Sequence, residues 1–171
     1  MSNLRLLNET NITSAVSNVS ITDVFTSDFK IYKMTMVYDN SAGNVLKTQM
    51  INSGGSVVTS SDYEWAILQM RSSGSFQQQK SASDSSWRMS YEGTQGWNVT
   101  TYIFNPFSSS SYTFYTTQSS GYYGGAGLTN LNLKGIGVLE QTASMTGIKF
   151  TTVGSNLDSF TCRIYGVRID T

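Results

Sequence analysis

The sequence predicts an all-β chain folded as a single jelly-roll-like antiparallel β-sandwich. Three observations carry that expectation. Apolar residues alternate with polar ones at a period of two through most of the apolar segments. Short runs of Ser, Thr, Asn and Gly separate those segments at regular spacing. No stretch reads as a long helix. At 171 residues the chain suits one domain, large enough to bury most of its apolar surface.

Residues 4–25 carry sparse apolar positions, among them Leu4, Leu6, Ile12, Val19, Ile21 and Phe25. Their β-branched side chains and interleaved Ser and Thr argue against a helix. Residues 1–28 are therefore expected as an N-terminal extended segment, an arm or the first strands, and residues 29–171 as the β-sandwich module. Tyr32, Met34, Met36 and Tyr38 share one strand face. The polar turn at residues 39–44 then predicts a hairpin with the strand Val45–Ile51.

Tyr63 to Met70 is apolar on both faces, as in a central strand buried on both sides. A short helix competes, because Glu64, Ala66, Leu68 and Met70 are good helix formers, but the β-rich company favours a strand. Arg71 to Ser86 is polar and low in complexity, and it is expected as a loop with a short edge strand near Phe76. Trp87, Met89 and Tyr91 alternate, as do Trp97, Val99, Thr101 and Ile103 after the turn at residues 92–96. Trp65, Trp87 and Trp97 are expected in the core. Pro106, the only proline, suits a strand end because it has no N–H to donate.

Tyr112 to Thr117 reads as a further strand and Ser119 to Gly127 as a glycine-rich loop. Leu131, Leu133, Ile136, Val138 and Leu139 form the next strand, with Gly135 marking a bulge. Met145 to Ile169 reads as a closing hairpin, in which Ile148 and Phe150 face the core. Its apolar set changes phase between Ile164 and Tyr165, which predicts a bulge or a strand covered on both faces. The count is about nine to eleven strands. Connections as long as Arg71 to Ser86 favour a crossed, Greek-key or jelly-roll sandwich over a meander.

Composition removes several function classes. Eleven basic and eleven acidic residues cancel, and no basic run appears, so nucleic acid is not an expected partner. Histidine is absent and Cys162 is the only cysteine, which excludes an internal disulfide and zinc sites of Cys and His. Cys162 lies among alternating apolar residues and is expected as a buried small hydrophobe. No acidic cluster has calcium-loop spacing, and no metal or cofactor is expected. The first residues lack a basic region followed by an apolar core, and no apolar run approaches the roughly 20 residues that span a bilayer. The chain is thus expected to be made in the cytoplasm without membrane insertion.

Catalysis without histidine would fall to carboxylates, lysine or tyrosine. Asp62, Glu64 and Glu92 are the candidates for a carboxylate pair. Asp62 opens a strand and Glu92 closes one, where solvated carboxylates are common, so no enzymatic activity is expected. Tyr122 and Tyr123 stand apart. Two rings in a glycine-flanked loop are hard to bury together, and exposed tyrosines stack on sugars or anchor interfaces. They are the candidate binding residues, with a folded-back ring over the sheet edge as the alternative.

Several segments resemble a group of tailed-phage virion proteins of the marine and cyanobacterial phage type. They are Met145-Thr146-Gly147-Ile148-Lys149-Phe150, the Gly154 to Ser159 loop, Arg163-Ile164-Tyr165-Gly166-Val167, Tyr63-Glu64-Trp65, and Phe29 to Tyr38 after Thr22-Asp23-Val24-Phe25. The resemblance implies a jelly-roll module assembled on a particle, often as a trimer, with a structural or adhesive role. The expected function is a virion structural protein, either a capsid decoration protein or a small tail or fibre component. Its partners would be other virion proteins and further copies of itself. A lectin-like module for host-surface glycans is the alternative.

Overall fold

The structure, a computed structural model, describes residues 3–40, 42–91, 95–123 and 129–168, with the backbone alone for Gln95, Tyr123 and Thr129. Every regular element described is a strand, and all pairings are antiparallel. The first six strands are β1 (Leu4–Ile12), β2 (Asn18–Ile21), β3 (Ile31–Asp39), β4 (Leu46–Asn52), β5 (Tyr63–Arg71) and β6 (Phe76–Asp84). The rest are β7 (Trp87–Arg88), β8 (Gln95–Phe104), β9 (Thr113–Tyr123), β10 (Thr129–Leu139), β11 (Met145–Thr152) and β12 (Ser159–Val167). Among the described residues no helix is long and apolar enough to cross a membrane.

An eight-stranded sheet has the order β1-β12-β3-β8-β9-β10-β5-β6, and a four-stranded sheet the order β2-β11-β4-β7. The pairs nest. β1 pairs with β12, β2 with β11, β3 with β8, and β4 with β7. One long antiparallel ribbon, wrapped so that successive pairs fall alternately in two sheets, gives this order, which is the jelly-roll topology. Two hairpins, β5–β6 and β9–β10, are inserted into the ribbon and widen the large sheet beyond β8.

This wrapping corrects two expected hairpins. β3 and β4 do not pair, and neither do β11 and β12; in each case the loop carries the chain from one sheet to the other. The physical reason is that both strands of each couple present an apolar face to the same core. Phe150 of β11 and Phe160 of β12 meet across the sandwich with ring centroids 5.1 Å apart. The polar run after Arg71 is also more ordered than its composition suggests. It forms the nine-residue edge strand β6, because a backbone ladder to β5 needs no apolar side chain. Ser119 to Tyr123 continue β9 rather than opening a loop, while residues 124–128 lie outside the described residues.

The phase change at Tyr165 resolves in a similar way. β12 runs in unbroken register along β3, and the bulge sits on the opposite partner, between Leu6 and Asn8 of β1. Gly166 keeps the inward phase, while Tyr165 and Val167 point outward. No bulge occurs at Gly135 either; a side chain there would crowd Ile67 and Thr117, each 2.9 Å from the added Cβ.

The core lies between the sheets. Trp65, Trp87, Trp97, Tyr38, Tyr63, Phe150 and Cys162 are all buried in it. The widened half of the large sheet has few partner strands above it, and an aromatic cluster fills that gap. Tyr63 meets Trp87 edge-on at 5.4 Å, and the Trp87 and Tyr115 centroids are 4.8 Å apart. The polar ends of these rings are satisfied. Trp87 Nε1 donates to the Val138 carbonyl at 3.0 Å, Tyr115 Oη to the Arg88 carbonyl at 2.8 Å, and Tyr63 Oη to the Val58 carbonyl at 3.0 Å. Gly137 leaves room for the Tyr115 ring, which any Cβ there would strike.

Two outcomes check this core. Phe150→Ala removes a fully buried ring and should cost on the order of 3–5 kcal/mol in denaturant unfolding; a loss below about 1 kcal/mol would mean that its face is wrongly assigned. Burial pushes the Cys162 thiol up to about 12 from its ordinary 9.0. Its contribution to stability is thus intact below pH 9 and is lost as pH rises toward 12. Iodoacetamide at mildly alkaline pH should leave the folded chain unlabelled and label the unfolded chain, and rapid labelling of the folded chain would contradict that burial.

Candidate functional site

Only one face of the large sheet meets the small one, so the other face is open. Alternation decides what it shows. In β10, Leu131, Leu133 and Leu139 point inward, whereas Asn132, Lys134 and Ile136 point outward. Register then aligns outward residues of neighbouring strands into rows that cross the sheet. One row is apolar through Leu4, Val167, Ile31, Phe104, Phe114 and Val138 before it reaches Glu64 of β5. The next is mixed, with Leu6, Tyr165, Tyr102 and Ile136 interrupted by Lys33 and ending at Lys80. The third is mostly polar: Glu9, Arg163, Thr35, Thr100, Gln118 and Lys134. Arg163 and Glu9 form an exposed ion pair there at 2.8 Å.

The face collects apolar surface. Nine of the eleven exposed large hydrophobics among the described residues project from it, and Ile136 (61% exposed), Val37 (53%) and Leu6 (50%) are aliphatic. A concentration of this kind on one face marks an interaction surface, whereas scattered single residues would not. The face is hollowed over β8 to β6. A trough of about 690 Å³ there is lined by Tyr102, Gln118, Lys134, Ile136, Gln78 and Lys80. A second hollow of about 650 Å³, containing Glu64 and Phe114, continues it past Ile136.

Tyr122, one of the two expected binding residues, lies in β9 and projects from this same face, 36% exposed. The backbone of Tyr123 pairs with Thr129, and its side chain lies outside the described residues. The larger apolar face escaped the reading of the sequence, although two of its signs were visible there. The second apolar face of Tyr63 to Met70 reads in the sequence as burial on both sides. Leu68 is instead 47% exposed on the open face. Tyr165 and Val167, the residues out of phase in β12, belong to it too.

The candidate carboxylates are not brought into an acid–base pair among the described residues. Asp62 accepts a 2.6 Å hydrogen bond from Gln141 Nε2. Hydrogen bonds from Ser60 and Gln141 hold its carboxyl below the usual range, the wrong direction for a proton donor at neutral pH. Glu64 projects from the open face, and Glu92 lies outside the described residues. Among the described residues no three His, Cys, Asp or Glu side chains converge as a metal site.

No protein-family model matches the sequence, and no curated protein matches it. Solved structures do. An exo-inulinase from Aspergillus awamori aligns over 96% of this chain at 9% identity and a TM-score of 0.46. A fructofuranosidase from Schwanniomyces occidentalis complexed with fructosylnystose aligns over 95% at 7% identity and a TM-score of 0.27. A chain of infectious bursal disease virus aligns over 98% at 14% identity and a TM-score of 0.18. This chain spans 29%, 34% and 37% of those chains, respectively. The expectation that the chain is no enzyme is corrected here, since the first two are sugar-processing enzymes. Such distant likenesses assign no activity in its place; the all-β sandwich stands on the strands themselves.

Proposed function

We propose that the chain is a structural component of a tailed-phage virion, a capsid decoration protein or a small tail or fibre component. It docks on its particle through the open face of the eight-stranded sheet. The observation that carries the reading is the apolar row that crosses the sheet from Leu4 to Val138, together with the exposed aliphatic residues beside it.

Magnitudes favour a protein as the occupant. Eight strands at roughly 4.8 Å spacing and three to four rows of outward residues give a face on the order of 800 Å². That is about what each partner contributes to a standard protein interface. Leu6, Val37, Leu68 and Ile136 are aliphatic, and a sugar, which stacks on aromatic rings, gains little from them. The apolar row lies toward the strand ends and the polar row with Lys134 and the Arg163–Glu9 pair nearer their middle, so a protein partner would meet an apolar strip flanked by polar and charged groups. The resemblance of the closing segment to virion proteins and the zero net charge, which leaves little repulsion between copies, also support assembly. On this reading the chain is made in the host cytoplasm and reaches its site by incorporation into the particle. The partner is another virion chain, and a trimeric arrangement places further copies around the same axis.

Ile136→Glu combined with Phe114→Glu tests the docking face. Both side chains are exposed, so the variant should unfold within about 1 kcal/mol of the parent. It should nevertheless be missing from purified particles by mass spectrometry. Incorporation at the parent level would refute docking by this face. Self-association of the parent that the two changes abolish would assign the face to further copies of the chain.

A further inference from the structure

A second surface lies at the end of the sandwich where β8 turns into β9. The loop Asn105 to Tyr112 faces the segment Thr26 to Lys30 across a cleft of about 380 Å³. Its walls carry the hydroxyls of Thr26, Ser27, Ser108, Ser110 and Ser111. Lys30 supplies the one charge in the lining, and the half-buried Phe107 supplies the apolar surface, since the Phe29 ring is buried against Gly166 and Tyr32. Lys30 has no ion-pair partner among the described residues.

The cleft is held rigidly. Asn105, at φ 55°, turns the chain sharply, and its N–H donates to the Lys30 carbonyl at 2.7 Å, which ties the two walls together. The Pro106 carbonyl accepts from Met145 N at 2.8 Å, and the Phe107 carbonyl accepts from Ser144 Oγ at 2.9 Å. On the other wall, Tyr32 Oη donates to the Thr26 carbonyl at 2.9 Å and accepts from Thr26 N at 2.8 Å. Walls fixed in this way lose little freedom when a ligand binds. Ser27 and Ser111 make no side-chain hydrogen bond to another described residue, so both hydroxyls are free to serve a guest.

We infer that this cleft binds an anionic sugar residue, such as a uronic acid at the end or edge of a glycan. Each part of the lining has a counterpart in that ligand. The serine and threonine hydroxyls both donate and accept, as a ring of sugar hydroxyls requires. The half-buried Phe107 ring suits the apolar C–H face of a pyranose. The Lys30 ammonium suits a carboxylate, and no acidic side chain lines the cleft; Asp28, on the same segment, lies outside the lining. The glycan site thus falls away from Tyr122, at the opposite end of β9, and lies beyond the end of the docking face at Ile31, Phe104 and Phe114.

Titration of the full chain with D-glucuronate, D-glucose and sodium sulfate, followed by amide chemical shifts, tests the inference. Glucuronate should shift the amides of residues 26–30 and 105–111 and bind about tenfold or more tightly than glucose. Lys30→Gln, a change at an exposed side chain, should bring glucuronate down to the level of glucose while leaving the other amides in place. Three outcomes overturn it: no glucuronate binding at millimolar concentration, binding indifferent to Lys30→Gln, or sulfate competing as well as glucuronate does. The last would leave a bare anion site only.

Discussion

The fold depends on one mismatch of width. The large sheet has eight strands and the small one four, so half of the inner face of the large sheet lacks a strand to pack against. The Trp87 cluster closes that gap. Trp87 belongs to the two-residue strand β7 at the edge of the small sheet, yet its indole reaches across to the carbonyl of Val138 on β10. Tyr63 and Tyr115 lean on it from β5 and β9, so one ring binds both inserted hairpins to the jelly-roll ribbon. A large aromatic suits this position because it delivers much buried area at little cost in conformational freedom and keeps a polar end for the backbone.

The open face follows from the same mismatch. The hairpins that widen the sheet on its covered side widen it equally on the other, where nothing described packs against it. Ile136, Phe114 and Leu68 all come from inserted strands, whereas Leu4, Leu6, Val37 and Tyr102 come from the ribbon. The apolar row runs through both without a break. Insertion of the β9–β10 hairpin has extended an apolar row that the ribbon already carried, up to Glu64 of β5.

What the sequence disclosed depended on how local each signal was. Alternation in Tyr32 to Tyr38 and Trp97 to Ile103 located strands and core residues correctly, because the period of two depends only on which face is buried. Pairing was harder. The turn at residues 39–44 has hairpin composition, yet it joins strands of different sheets, since composition reports that a chain turns and not where it goes next. Edge strand β6 was obscured for the opposite reason: its Gln and Ser side chains carry no burial pattern, and only the ladder to β5 defines it. The open face was legible only as an anomaly. Apolar residues on both faces of β5 and out of phase in β12 mean either burial on both sides or an unpartnered surface, and only the layering of the fold distinguishes the two. The serine cleft was not legible at all, because Lys30 and Ser108 are separated in the chain by six strands, β3 to β8, and meet only when Asn105 bonds to Lys30.

Docking by the face and binding by the cleft are sterically compatible. β9 has eleven residues, so its two ends lie on the order of 35 Å apart. Phe114, near the cleft, and Tyr122, at the far end, both project sideways from the sheet, while the cleft opens between loops at the end of the sandwich. A partner lying flat on the sheet would cover the apolar rows and leave the loop between Asn105 and Tyr112 exposed. An edge-on approach along β1 or β6 would leave the apolar rows in water and forfeit most of the face. Flat docking is therefore the arrangement that buries the exposed aliphatic residues and still presents the hydroxyl-lined cleft outward, where a glycan could reach it.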